Sequence, residues 1–158
     1  MRRLVLLLAA LALPALAQPG VGVPSLIEGD AADVAHLGGA WVGAYELADT
    51  GEVGTLRIDV DAEGAWAVVT LLPPSDGAVP TAVRLAVHHL QVEGGQLRGS
   101  LARFQDPAWD IEIETTVGGT LGPGDRLEGH FLSDGTTVDT IRRGGRWWAV
   151  RAADRPTL

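Results

Sequence analysis

From Ala40 onward, apolar and polar side chains alternate with a period of two, which is the pattern of half-buried β-strands. In the first predicted strand, 40–47, Trp41, Tyr45 and Leu47 share one face. Further strands follow at intervals marked by glycine-containing turns, and eight or nine strands are predicted in all. These sequential tight turns favour an all-β, antiparallel up-and-down meander barrel, with a two-sheet sandwich as the alternative.

One break in this alternation predicts an irregular strand. The apolar positions of 83–87 and those of 90–92 keep opposite phases, so one extra residue must lie at His88-His89. An extra residue that reverses the phase is the mark of a β-bulge.

Glycines predict where several strands turn. A three-residue loop ending at Gly64 would pair Val60 with Trp66 and place Trp66 inside the barrel. A bend is expected at Gly118-Gly119. Tight turns are expected at 94–95 and 123–125, at a hairpin tip over 134–135, and at 144–145. The last of these turns would separate a strand at 136–142 from the final strand, 146–152.

The chain before the strands divides into three parts. Residues 1–17 combine two arginines, an apolar run and small residues at the end, as a secretory signal peptide does. Residues 18–29 lack periodicity and are predicted as a linker. Asp30 can cap a short helix that stops at Gly38, and the single barrel domain is expected to span 30–155. We therefore expect a periplasmic or secreted protein, with no later segment of membrane-spanning length.

Composition narrows the function classes. The formal charge of −8 argues against a nucleic-acid partner, because such binding needs clustered basic residues. The chain has no cysteine, which excludes thiol nucleophiles and cysteine metal sites. Sequence motifs for hydrolases, zinc proteases and nucleotide-binding loops are also missing. We expect neither an enzyme nor a bound cofactor, and no catalytic residue is predicted.

Three sets of side chains deserve comparison with metal sites. His88-His89 could join His130 or His36, but neighbours on a regular strand point in opposite directions. Asp110, Glu112 and Glu114 form an acidic row on one face of a predicted strand, which suits a face exposed to solvent. The segment 59–64 imitates a calcium loop, yet its twelfth position is Thr70 where a bidentate Glu belongs. Structural roles are preferred for all three, and no metal site is predicted.

The aromatic residues are the best candidates for a ligand site. Five tryptophans stand among only eight aromatic residues, and several fall on the inward face of their strands. Packing of the core and lining of a ligand cavity are both open for this set. The candidate ligand-binding residues are Trp41, Tyr45, Trp66, Trp109 and Phe131, and one of Trp147 and Trp148 should also point inward.

Gly39-Ala40-Trp41, which opens the first strand after a short helix, resembles the G-x-W signature of the calycins, the lipocalin and avidin group. Arg151 in the last strand is similar to the basic residue that packs across that tryptophan in lipocalins. The resemblance implies an eight-stranded barrel that holds a small, mostly apolar ligand. The avidin pattern has Asn where this chain has Gly43, so biotin is not the expected ligand.

These observations predict a calycin-like binding module for a small apolar or amphipathic molecule. The alternative is a ligandless barrel with a structural or interaction role in the cell envelope. The volume left free by the inward side chains separates the two hypotheses, because a filled interior offers no site.

Overall fold

A computed structural model describes residues 22–61, 63–74, 81–106, 111–136 and 142–153. These residues form nine strands and one helix. In chain order the elements are β1 (Glu28–Gly29), α1 (Ala31–Leu37), β2 (Gly39–Leu47), β3 (Val53–Val60), β4 (Ala67–Leu72), β5 (Val83–Glu93), β6 (Gln96–Asp106), β7 (Ile111–Gly122), β8 (Arg126–Gly135) and β9 (Arg142–Arg151).

Strands β2 to β9 form a closed antiparallel barrel. Each strand pairs with the next in the chain, and β9 pairs with β2 to complete the circle. Trp41 lies opposite Arg151 in the closing pair, and Tyr45 lies opposite Trp147. The meander barrel with a short N-terminal helix is thus confirmed, and a two-sheet sandwich is excluded.

Helix α1 closes one end of the barrel. The Asp30 side chain accepts a hydrogen bond from the Ala32 amide at 2.9 Å, and Gly38 ends the helix, as predicted. Leu37 is only 1% exposed and belongs to the core. Asp33 accepts a hydrogen bond from the Gly95 amide in the β5–β6 turn at 2.9 Å. The helix is therefore fixed to the barrel by both apolar packing and hydrogen bonding.

The predicted bulge in β5 is confirmed. Pairing with β6 shifts between His88 and Gln91, and His89 adopts φ of +50°. A second shift, between Leu101 and Phe104 of β6, was not predicted. Here Phe104 points inward although it lies three residues after the inward Leu101, so simple alternation fails across it.

The predicted β3–β4 register is wrong by one residue. Val60 pairs with Ala67, and Trp66 is 40% exposed outside the barrel. Asp61 causes the difference, because its amide bonds to the Trp66 carbonyl at 2.9 Å while its carboxylate accepts from the Ala65 amide at 3.1 Å. These bonds stabilise a longer turn, and a shift of one residue moves every side chain of β4 to the opposite face.

The turn predicted at Gly144-Gly145 is also wrong. Strand β9 runs through both residues, and β8 continues through the predicted tip at 134–135. A side chain at Gly145 would begin 2.1 Å from the Glu46 carbonyl oxygen and 2.5 Å from the Phe131 ring. Glycine is needed there for close packing, which the sequence alone does not distinguish from a turn. The predicted strand 136–142 lies largely outside the described residues, and Gly118-Gly119 lie within continuous β7.

Residues 22–29 pack along β5, within the stretch predicted as a linker. Glu28 and Gly29 pair in parallel with Gln91 and Val92. Ser25 accepts a hydrogen bond from the His89 amide at 2.6 Å through its hydroxyl. The bulge thus provides an attachment point for the segment that leads into α1.

Candidate functional site

The barrel encloses a cavity of about 410 Å³ between α1 and the opposite end. Side chains from all eight barrel strands line it, and most of them are apolar. Examples are Leu56, Val69, Val87 and Val117. The inward side chains therefore leave a free interior volume, which falls in the range of small-molecule sites.

Trp41 forms the base of the interior and does not line the cavity. Its side chain is fully buried, and its indole nitrogen donates to the Leu37 carbonyl at 2.8 Å. The Arg151 guanidinium carbon lies 4.3 Å from the centre of the indole ring. Arg151 also donates to the His36 and Gly38 carbonyls at the end of α1. The predicted contact is confirmed, and it joins the helix, the first barrel strand and the last.

Four aromatic side chains line the cavity: Tyr45, Phe104, Phe131 and Trp147. The rings of Tyr45 and Phe131 meet edge to face, with centres 6.1 Å apart and planes at 85°. A side chain at Gly119 would begin 2.6 Å from the Trp147 indole, so this glycine makes room for the indole inside the barrel. Trp147 is thus the inward member of the Trp147-Trp148 pair.

Charged side chains line the end of the cavity far from α1. They are Glu52, Asp106 and Arg143. Arg143 also forms an ion pair with Asp49 of the β2–β3 turn, with a nitrogen-to-oxygen distance of 3.2 Å. Burial raises the pKa of the Tyr45 hydroxyl, and the nearby Asp106 carboxylate raises it further while Arg143 opposes it. The Tyr45 hydroxyl therefore lies among charged groups of both signs at this end of the cavity.

A pair of hydroxyl groups interrupts the apolar wall. Thr115 of β7 and Ser133 of β8 are direct cross-strand partners, and their side-chain oxygens are 2.7 Å apart. Thr115 is only 5% exposed. In β9, Arg143 is the cross-strand partner of Ser133, so the pair and Arg143 form one row across three strands. Both hydroxyl residues line the cavity.

Only part of the predicted ligand set is brought together. Tyr45 and Phe131 line the cavity, Trp41 lies at its base, and Trp66 lies on the outer surface. Trp109 is outside the described residues. The inward position predicted for Trp66 is therefore wrong, because the register of β4 differs from the expected one.

Sequence reasoning missed the polar residues of the cavity. Arg143, Gly145 and Trp147 have the same inward parity, but the turn expected at Gly144-Gly145 concealed it. Alternation places Thr115 on the same face as Ile113, yet nothing in the sequence indicates that Ser133 lies opposite it. Prediction of one continuous last strand would have shown that the Arg143 side chain points into the barrel.

Several of the side chains considered for metal binding have protein partners. His88 bonds to the Val23 carbonyl at 2.9 Å, and His36 bonds to Asp125 at 2.8 Å. In the acidic row, Glu114 pairs with Arg103 at 2.9 Å. Across the part of the chain that the structure describes, no three His, Asp or Glu side chains form a group that could hold a metal ion.

No family model, no curated protein and no solved structure matches this chain. Within the described ranges, no helix combines the length and apolar character needed to cross a membrane. The cavity and its lining residues are therefore the basis for the functional proposal.

Proposed function

We propose that this protein binds a small apolar or amphipathic molecule inside its barrel. The observation that carries the proposal is the cavity of about 410 Å³ and its largely apolar lining. Transfer of an apolar molecule from water into such a space is favourable by roughly 25 cal/mol per Å² of apolar surface buried. Charged groups at one end provide a place for a polar head group of an amphipathic molecule.

The calycin-like character of the barrel belongs to the same proposal. Its support is the stacking of Arg151 on Trp41, together with α1 at the closed end. An exported location is also part of the proposal and rests on the leader-like residues 1–17. Amino-terminal sequencing of the protein from the extracytoplasmic fraction should give Gln18 as the first residue. A protein that retains Met1 in the cytoplasm would contradict this part.

Two neighbouring leucines of β4 provide a matched test of the site. Leu71 lines the cavity, whereas Leu72 is 37% exposed on the outer face. We expect Leu71→Trp to fill part of the cavity and weaken binding of a neutral hydrophobic dye by tenfold or more. Leu72→Trp adds the same side chain outside and should leave dye binding unchanged. Thermal melting of both variants checks that the barrel remains folded.

Native mass spectrometry of protein purified from its own cells can then search for a co-purified small molecule. We expect a bound species with wild type and with Leu72→Trp, but less with Leu71→Trp. Equal dye binding by wild type and both variants would place the dye outside the cavity and contradict the proposal. No dye binding and no co-purified molecule would favour the ligandless structural or interaction role.

A further inference from the structure

A groove of about 1020 Å³ follows β7 on the outer surface of the barrel wall. The outward residues that β7 contributes to it are short, namely Thr116, Gly118 and Thr120, whereas β6 and β8 on either side carry long polar side chains. The short side chains therefore form a floor, and the long ones form two walls. From the spacing of neighbouring strands, the Cα atoms of the two walls are roughly 10 Å apart.

Gly118 is the most open part of this floor. Its cross-strand partners are Arg98 of β6 and His130 of β8, so the glycine lies between these two long side chains. Among the described residues, a carbon added at Gly118 would have one neighbour within 4 Å, the Leu97 carbonyl oxygen at 3.9 Å. The groove therefore has free space directly beside a guanidinium and an imidazole.

The groove is basic although the chain as a whole is acidic. Its lining includes three arginines and, among the described residues, one carboxylate, whereas the chain has a net charge of −8. Arg126 is paired with Glu128 at 2.8 Å. Arg146 is paired with Glu46 at 2.6 Å. Arg98 has no hydrogen bond or ion pair with any described residue, so it provides an uncompensated positive charge beside the open floor.

The lining limits the kind of partner that fits. Both edges of β7 are already paired, so a peptide cannot add to it as a further strand. The outward side chains are polar except for Leu132 and Trp148, which leaves no apolar stripe for an amphipathic helix. A nucleic acid needs several uncompensated cations for its phosphates, and the described part of the groove has one such arginine. A hydroxylated chain with a few separated negative charges matches this lining best.

We infer that the groove binds an oligosaccharide whose sugar rings carry carboxylates. Arg98 binds a carboxylate, and the hydroxyl groups of Thr116 and Thr120 form hydrogen bonds with sugar hydroxyls along the floor. Trp148, the cross-strand partner of Glu128, offers its indole to the C–H face of a ring at the edge of the groove. This site is distinct from the cavity, because the two lie on opposite sides of the barrel wall.

Two probes that share one sugar chain but differ in charge test this inference: tetragalacturonate and its methyl ester. Backbone amide shifts of the nitrogen-15-labelled full-length protein report both the affinity and the location of binding. Wild type should bind tetragalacturonate at least threefold more tightly than the ester, with the largest shifts around Gly118. Arg98→Gln should weaken tetragalacturonate binding by roughly three- to tenfold, the effect of one charged contact at a surface, and should leave ester binding unchanged.

Two further variants locate the site. Arg103→Gln is the matched control, because Arg103 is another exposed arginine of β6 but pairs with Glu114 outside the groove, and it should leave both affinities unchanged. Gly118→Leu fills the open floor and should weaken binding of both probes tenfold or more, while thermal melting checks that the barrel remains folded.

Several outcomes would overturn the inference. They are binding of neither probe, equal affinity for the acid and the ester, equal weakening by Arg98→Gln and Arg103→Gln, and unchanged binding by a folded Gly118→Leu variant. Tighter binding of a single-stranded RNA with the same number of charges would also overturn it, because the groove would then select phosphates rather than acidic sugars.

Discussion

Replacement of Arg151 should destabilise the whole barrel, although its side chain is 31% exposed. Arg151 stacks on the fully buried Trp41, donates to two carbonyls at the end of α1, and pairs with Asp125 at 3.2 Å. These contacts join the closing strand pair to the helix that covers the base of the cavity. Arg151→Ala removes all of them, whereas Arg151→Lys keeps the charge but loses the planar stacking.

The size of the effect follows from these contacts. The stacking contributes about 1 kcal/mol, within a range of roughly 0.5–2 kcal/mol. Each carbonyl bond to the guanidinium contributes about 1.5 kcal/mol before any gain from water in the variant. The exposed ion pair with Asp125 adds little to this sum, because solvent screens it. With allowance for water replacing part of these bonds, Arg151→Ala should lower the free energy of unfolding by about 3 kcal/mol. Arg151→Lys should lower it by about half as much, because one carbonyl bond can re-form.

Urea unfolding followed by tryptophan fluorescence measures this free energy, and thermal melting provides a second measurement. A loss of about 3 kcal/mol corresponds to a decrease of roughly 10 °C in Tm for a domain of this size. Arg98→Ala is the control, because Arg98 is exposed on the outer strand face, and it should change stability by less than about 0.5 kcal/mol. Equal Tm values for wild type, Arg151→Lys and Arg151→Ala would refute the reasoning.

Three other predictions test the closed end, the cavity and the packing of β9. The hydrogen bond from His36 lowers the pKa of Asp125 in the folded protein. The ionised carboxylate therefore stabilises the fold above its ordinary pKa of about 3.9, and this stability is lost as pH falls through the lower pKa of the folded state. Asp125→Asn should therefore reduce the loss of stability in urea titrations over that acidic range. Tyr45 is the only tyrosine, and burial raises its pKa, so ultraviolet titration should give a midpoint above about 10 that falls on unfolding in urea. Gly145→Ala should lower Tm far more than Gly118→Ala, since an added carbon begins 2.1 Å from the Glu46 carbonyl oxygen at Gly145 but 3.9 Å from the Leu97 carbonyl oxygen at Gly118.

The sequence predicted those parts of the fold that depend on local chemistry. Asp30 and Gly38 identified the ends of α1, and the change of phase at His88-His89 identified the bulge. Alternation and tight turns predicted the meander. Each of these signals lies within a few residues of the feature it predicts, so it can be recognised without knowledge of distant contacts.

Features that depend on distant contacts were not predictable in the same way. Asp61 selects the β3–β4 register through bonds to its own turn, and this choice placed Trp66 outside. Gly145 is required by the Phe131 ring and by the Glu46 carbonyl oxygen, which is far away in the chain. In the candidate site, the inward positions of Tyr45 and Phe131 followed from alternation. The Thr115–Ser133 contact required knowledge of which strands become neighbours.

The pairing of β9 with β2 has a consequence for the order of folding. Trp41 and Arg151 are cross-strand partners although almost the entire domain separates them along the chain. A high contact order of this kind slows folding, because the chain must close a long loop before the last contacts stabilise it. Until the C-terminal strand has been synthesised, β2 and β8 each have an unpaired edge that can join another chain. Loss of a short C-terminal segment that includes β9 would therefore produce an open, aggregation-prone sheet, whereas additions beyond Arg151 would leave the closing pair intact.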